Sequence, residues 1–351
     1  MKIDQVEKTL LSVKFLIDNR QTHKNSFNDV ALDLYKLHHE MNNSYYQYCG
    51  RKIPSNWKEI PLLPISQFNN KNFIGLDMET EMPFPGLFFK SNLSFHYIRD
   101  TELYKNSIAR SFPQIVLNED SWVPWINFIS VFSKTENNCS NYFLEYLAES
   151  FHGKSIENFG NFELFLKDLI EENGEEIKIS IPTVFVSNQT KLKEFINKFD
   201  LLKKEYQEGL PLPLGSKIIE IQNGFQENSL NISKTICEIF GMNQIMRVLL
   251  IPEISSQMYA IIKTSSLEYC LKNNKKEITE YFSSPWIRFR IIDLNTKEDV
   301  GQGESGLVAI YDLANFWSCP FILTNFYGKI GRSGGLILEG KISEKNEKVN
   351  C

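Results

Sequence analysis

The side chains best equipped for covalent chemistry are six cysteines, Cys49, Cys139, Cys237, Cys270, Cys319 and Cys351. None forms a C-x-x-C pair and none has a histidine at ligand spacing, which argues against a zinc site and a secreted disulfide framework. Reduced thiols in a cytoplasmic protein are the simplest account. A thiol attacks as its thiolate, so the charges around Cys351 matter: Lys345 and Lys348 favour the thiolate, whereas Glu347 and the adjoining terminal carboxylate oppose it. His38 and His39 are neighbours on a predicted helix, where adjacent residues point in different directions, so they read as structural or solvated side chains.

The elements that must position these groups are legible from periodicity. Residues 4–19 and 26–48 read as amphipathic helices, with Leu10, Leu11, Val13, Phe15 and Leu16, then Val30, Leu32, Leu34 and Leu37, near helical spacing. Pro54, Pro61 and Pro64 exclude regular helix from the segment that follows, which is expected to run extended. From Trp122 onward apolar strand-like runs alternate with helical ones: strands at 125–132, 179–186, 218–221 and 248–251, helices at 141–151, 162–172, 191–199 and 230–240. Such alternation is the form of crossover units feeding a largely parallel sheet. Beyond Gln257 short strands with turn signals, at 286–293, 307–311 and 336–341, predict an antiparallel β-rich part.

Composition narrows the partners. With 38 basic and 43 acidic residues the formal net charge is −5, the opposite of a nucleic-acid footprint. Charges at Asp4, Glu7, Lys8 and Lys14 interrupt any apolar run after the start, so no signal peptide is expected, and no stretch approaches the roughly 20 apolar residues of a membrane span.

Three stretches together are similar to the acyl-protein synthetase component of the bacterial luminescence fatty-acid reductase, itself related to adenylate-forming ligases such as phenylacetate-CoA ligase. The most specific runs Pro285-Trp286-Ile287-Arg288-Phe289-Arg290, Asp293, Gly303-Glu304-Ser305-Gly306-Leu307, Asp312-Leu313-Ala314-Asn315 and Ser318-Cys319-Pro320-Phe321-Ile322-Leu323-Thr324. A second, Trp57-Lys58-Glu59-Ile60-Pro61-Leu62-Leu63-Pro64 with Phe68, resembles the family's W-x-x-I-P-x-x-P segment. The third, Pro252-Glu253-Ile254-Ser255-Ser256-Gln257-Met258-Tyr259, resembles T-E-x-x-S-Q-F-Y. The resemblance implies an adenylate-forming-ligase-like α/β fold. It would span residues 1–330, with a helical and Pro-rich lead-in at 1–85, an α/β core at 86–255 and a β-rich part at 256–330. A truncated C-terminal tail at 331–351 would follow. The family's members are ATP-dependent acid–thiol ligases that activate a carboxylic acid, usually a fatty acid, with ATP and magnesium and pass the acyl group to a cysteine.

Such chemistry demands a glycine-rich loop whose N–H groups converge on the triphosphate. The resemblance places that loop before Arg99-Asp100-Thr101-Glu102-Leu103-Tyr104-Lys105-Asn106-Ser107, where this chain has Phe88-Phe89-Lys90-Ser91-Asn92-Leu93-Ser94-Phe95, shorter and without a glycine. Ser91 and Ser94 are its candidate phosphate contacts. Asn223-Gly224 stands for the adenine-side loop, and Glu253 for the acid that helps hold the magnesium nucleotide. Asp312 and Thr324 are further candidate nucleotide contacts. Two residues after Thr324, the family's ribose-binding aspartate is Phe326, which cannot accept a hydrogen bond. The hinge arginine is Lys341, which keeps charge but loses the planar fork. Cys351 matches the family's acyl-accepting cysteine.

The expectation is therefore a cytoplasmic acyl-protein-synthetase-like protein whose adenylation is weakened or lost, a pseudoenzyme. It would act as an acyl-binding or accessory subunit for an acyl carrier protein, an acyl reductase or an active ligase. Two alternatives stand beside it: an active ATP-dependent acyl-protein ligase, and a purely structural partner in a ligase or reductase complex.

Overall fold

Apolar spacing fixes the first helices of the computed structural model. The structure describes residues 2–19, 24–69, 87–90, 95–98, 101–112, 127–131, 139–151, 154–156, 171–173, 176–178, 182–202, 210–223, 230–251, 254 and 256–342. Helices are α1 (Lys2–Asn19), α2 (Lys24–Met41), α3 (Asn43–Cys49), α4 (Thr101–Phe112), α5 (Cys139–Ser150), α6 (Gln189–Leu202), α7 (Leu230–Ile239) and α8 (Thr264–Lys272). Strands are β1 (Leu63–Pro64), β2 (Leu87–Lys90), β3 (Phe95–Ile98), β4 (Asn127–Val131), β5 (Lys154–Ile156), β6 (Glu171–Asn173), β7 (Glu176–Lys178) and β8 (Thr183–Asn188). They continue through β9 (Lys217–Asn223), β10 (Gln244–Leu250), β11 (Met258–Lys263), β12 (Glu280–Ser283), β13 (Ile287–Ile292), β14 (Gly306–Asp312), β15 (Phe321–Ile330) and β16 (Leu336–Lys341). The fold is mixed α/β, and the chain divides into two compact units.

The first unit joins residues 1–111 to 251–258 and 280–351, so the two ends of the sequence build one body. Its sheet runs β13-β14-β15-β16-β12. Every pairing recorded along it is antiparallel, and the ten-residue β15 pairs with β14 along one edge and divides its other edge between β1, parallel at its start, and β16 at its end. In α1 the buried stripe is Val6, Thr9, Val13, Leu16 and Ile17, while Leu11 and Phe15, two of the apolar residues counted toward its periodicity, are exposed. The single helix expected over 26–48 is two. Asn42 breaks it with an extended backbone, and its Oδ1 accepts from Tyr45 N at 2.8 Å, a cap that stabilises α3 by about 1 kcal/mol. Gly50 ends α3 at φ +63°, a conformation that favours glycine. The proline-bearing segment then runs through a short 3-10 turn, Trp57–Glu59, to β1.

The second unit comprises 112–250 and 259–279. Strands β10, β9, β8, β4 and β5 lie side by side, all parallel, linked by the helical crossovers β4–α5–β5, β8–α6–β9 and β9–α7–β10. This is the parallel sheet expected from the alternation. Its core is aromatic: Phe185, Phe195 and Phe240 stand with ring centroids 5.2–5.6 Å apart, packed among Ile218, Ile236 and Leu192. Two local expectations differ. Residues 171–173 are strand β6 in a hairpin with β7, not the end of a helix, and 162–170 lie outside the described residues. Helix α8 replaces part of the all-strand pattern expected after Gln257.

Candidate functional site

The motif residues of the first unit converge on one buried carboxylate. Asp312 ends β14 at 0% exposure, where its Oδ2 accepts from Ser256 N at 2.8 Å and its Oδ1 from Ser256 Oγ at 2.7 Å and Ala314 N at 3.1 Å. Trp286 Nε1 donates to Ser256 Oγ at 3.0 Å. Three separated motif pieces, at 252–259, 285–290 and 312–315, are thus tied together through one carboxylate and one hydroxyl. A carboxylate accepting a backbone N–H at such range forms strong charge-assisted bonds, so the segment carrying Ser256 is held firmly against β14. Gln257 extends the cluster, its Oε1 accepting from Ser111 Oγ at 3.4 Å on α4, the helix that carries Tyr104 and Ser107 of the run 99–107. Tyr104 and Ser107 are buried, and Ser107 Oγ donates to Tyr104 O at 2.8 Å.

Thr324 and Lys341 lie in the same unit. Thr324 is buried in β15; its Oγ1 donates to Val308 O at 2.7 Å and accepts from Phe326 N at 3.1 Å. Its hydroxyl is used within the strand pair. Phe326 is 2% exposed and faces Lys341 across the β15–β16 ladder, with Nζ 5.4 Å from the ring centroid. An ammonium over an aromatic face is an attractive pair. The place that the sequence motif gives to a ribose-binding carboxylate and a hinge guanidinium holds a cation–π pair with no acceptor in the ring.

Strands β2 and β3 form an antiparallel hairpin from Leu87↔Ile98 to Lys90↔Phe95, so Ser91-Asn92-Leu93-Ser94 connect its arms. Ser91 and Ser94 lie outside the described residues, as do Gly224, Glu253 and Cys351. Asn223 is the last residue of β9, in register with Leu250 of β10, which puts the adenine-side motif at the end of a parallel strand. Among the described residues no group of three or more His, Cys, Asp or Glu side chains could hold a metal ion. Of the described cysteines, Cys49, Cys237, Cys270 and Cys319 are free thiols; burial pushes Cys319 up to about 12 and Cys49 to about 11, far from nucleophilic readiness.

His38 and His39 are both structural. Burial pulls His38 down to about 4, partly offset by its bond to Phe316 O at 2.9 Å. A carbonyl only accepts, so Nε2 carries the proton of a neutral ring. His39 Nε2 bonds Gly50 O at 2.7 Å.

One constellation in the second unit escaped the sequence reading. Arg247 of β10, wholly buried, donates Nε to Glu220 Oε2 of β9 at 2.9 Å and Nη1 to both oxygens of Glu277 at 2.8 Å, with Thr279 Oγ1 at 3.1 Å and Ser233 Oγ 3.0 Å from Nη2. Among the described residues Glu220 Oε1 has no hydrogen-bond partner. The signal was present: each of the runs Ile218-Ile219-Glu220-Ile221 and Ile245-Met246-Arg247-Val248-Leu249 carries one charge inside an apolar strand, and the two charges are opposite.

No protein-family model matches the chain, and a comparison with curated proteins finds no match. Solved structures of similar chain path include ATP-bound MatB from Rhodopseudomonas palustris, at 11% identity and TM-score 0.48 over 73% of this chain and 47% of that one. A luciferase-like enzyme from the nonluminescent mealworm Zophobas morio is similar at 12% identity and TM-score 0.49, over 74% and 57%. A long-chain-fatty-acid-CoA ligase from Archaeoglobus fulgidus is similar at 11% and 0.47, over 73% and 50%. The chain spans about half the length of these proteins. Each likeness is one of chain path alone.

Proposed function

We propose that this protein handles a carboxylic acid or its acyl group as an acyl-protein-synthetase-like subunit in which ATP-dependent adenylation is weakened or lost. The observation that carries this reading is Phe326. It is buried under the Lys341 ammonium at the position where the motif order calls for a ribose-binding carboxylate. A bidentate carboxylate contact to ribose contributes about 1.5 to 3 kcal/mol, and a phenyl ring supplies none of it. Supporting it, both oxygens of Asp312 already accept from Ser256 and Ala314, and the Thr324 hydroxyl is spent within β14 and β15. The hairpin of β2 and β3 leaves four glycine-free residues for a phosphate contact.

In this reading Ser256, Asp312 and Trp286 hold the segment that bears Glu253, and Cys351 receives an acyl group already activated elsewhere. Attack by its thiolate on a thioester carbonyl forms the new thioester and expels the donor thiolate, so no nucleotide is consumed. The partners are an acyl carrier protein, an acyl reductase or an active ligase, and the place of action is the cytoplasm. Incubation with a long-chain acyl-CoA tests the transfer: a hydroxylamine-labile mass increment on the tail peptide, absent in Cys351→Ser, is expected. Equal labelling of that variant, or no label where an active ligase becomes acylated, would overturn Cys351 as acceptor.

A further inference from the structure

The first unit carries a second candidate site on the other face of its sheet. Adjacent residues of a strand face opposite ways. On β13 and β14 the pair Ile287↔Asp312 therefore belongs to one face and Arg288↔Tyr311 to the other. On this second face Phe27 of α2, Trp57 and Tyr311 stand close together: Trp57 lies edge-on to Phe27 at 5.5 Å and to Tyr311 at 4.9 Å.

Two arginines enter this aromatic setting, and they are partnered differently. Arg290 is matched. Its Nε meets Asp299 Oδ1 at 2.5 Å and its Nη1 donates to Tyr311 Oη at 3.1 Å and to Lys58 O, while Lys58 Nζ closes on Asp299 Oδ2 at 3.2 Å. Arg288 has no carboxylate among the described residues. Its Nη1 donates to its neighbour Ile287 O at 3.2 Å, and its guanidinium lies 4.9 Å from the Phe27 ring.

A guanidinium has five N–H donors in a fixed fork. Among the described residues one is used, and the edge formed by Nε and Nη2 is left. That edge matches two oxygens of a carboxylate or a phosphate. A half-buried charge without a counter-ion is unfavourable, and a ring face offsets only part of the loss; burial lowers the Arg288 pKa accordingly. Charged side chains on an edge strand also discourage unwanted strand pairing, and β13 ends its sheet. An arginine serving that purpose alone would extend into water rather than lie half-buried against Phe27.

We propose that Arg288 is the anion-recognition residue of a ligand site on this face, taking a two-oxygen anion, a carboxylate or a phosphate, beside the rings of Phe27 and Trp57. The site lies on the face of β13 and β14 opposite to Asp312.

The test follows the arginine Nε–H resonances of the full chain by NMR at low ionic strength, titrated separately with inorganic phosphate and with acetate. The Arg288 signal is identified by its loss in Arg288→Gln. Saturable movement of that signal is expected, with phosphate alone pointing to a phosphate-bearing ligand and acetate alone to an acid. Arg288→Lys keeps the charge but not the fork and is expected to weaken binding at least about tenfold, measured by calorimetry. A linear, unsaturating shift with both anions, or unchanged affinity in Arg288→Lys, would overturn the site. The lysine variant also covers the case in which the glutamine variant does not fold.

Discussion

His38 shows how a residue that looks chemically poised becomes a structural one. Its ring is buried against Phe316 O, and burial holds it near 4, below the ordinary 6.5. Between those values the unfolded chain takes up a proton that the folded chain refuses. Stability from this group is therefore complete above about pH 6.5 and falls as the pH drops toward 4, by on the order of 3 kcal/mol. His38→Gln keeps a donor for Phe316 O and removes the titration. Urea midpoints of the two proteins at pH 7 and pH 5 are expected to diverge, the parent losing more on acidification. Equal losses would show that His38 is not held neutral. Phe326 is the other instructive residue, since its identity was visible in the sequence but not its burial under Lys341.

At the scale of elements, the parallel strands of the second unit were readable because each is a short apolar run between helical periods. Strand β8 starts four residues later than expected, after Pro182, whose carbonyl accepts from Asn127 N at 2.9 Å. Helix α8 was missed because Leu267 is its one buried residue, too little for a period to register. Strand β15 went unread as a strand because Asn325 and Gly328 interrupt its apolar alternation and a register shift falls at Tyr327/Gly328. Long-range pairing leaves only a faint local trace, a charge inside an apolar run that does not say what it meets, and Arg247 is the case in point. It joins β9, β10 and the 277–279 segment through two buried carboxylates. Arg247→Met would strand both and is expected to cost about 3–5 kcal/mol, whereas replacing Glu220 and Glu277 by leucine as well should recover much of that. Chemical denaturation of the single and triple variants decides it. A single variant within about 1 kcal/mol of the parent would contradict the role given to this network.

The whole molecule combines a β-rich unit assembled from both ends of the sequence with a parallel α/β unit between them. Among the described residues no helix is long and apolar enough to cross a membrane. The order of the motifs along the chain was plain from the sequence. How Asp312, Ser256 and Trp286 meet was not, because their contacts span 30 to 56 residues. In the proposed reading that meeting holds the Glu253 segment, while Phe326 takes the place of a ribose-binding carboxylate. The two halves of the proposal, acyl handling kept and adenylation lost, separate most cleanly in ATP–pyrophosphate exchange. With magnesium, ATP and a panel of short- to long-chain carboxylic acids, the purified protein is predicted to give no acid-dependent exchange above the protein-free blank. Exchange that depends on one acid of the panel and disappears in Glu253→Gln would contradict the account and make the protein an active ligase.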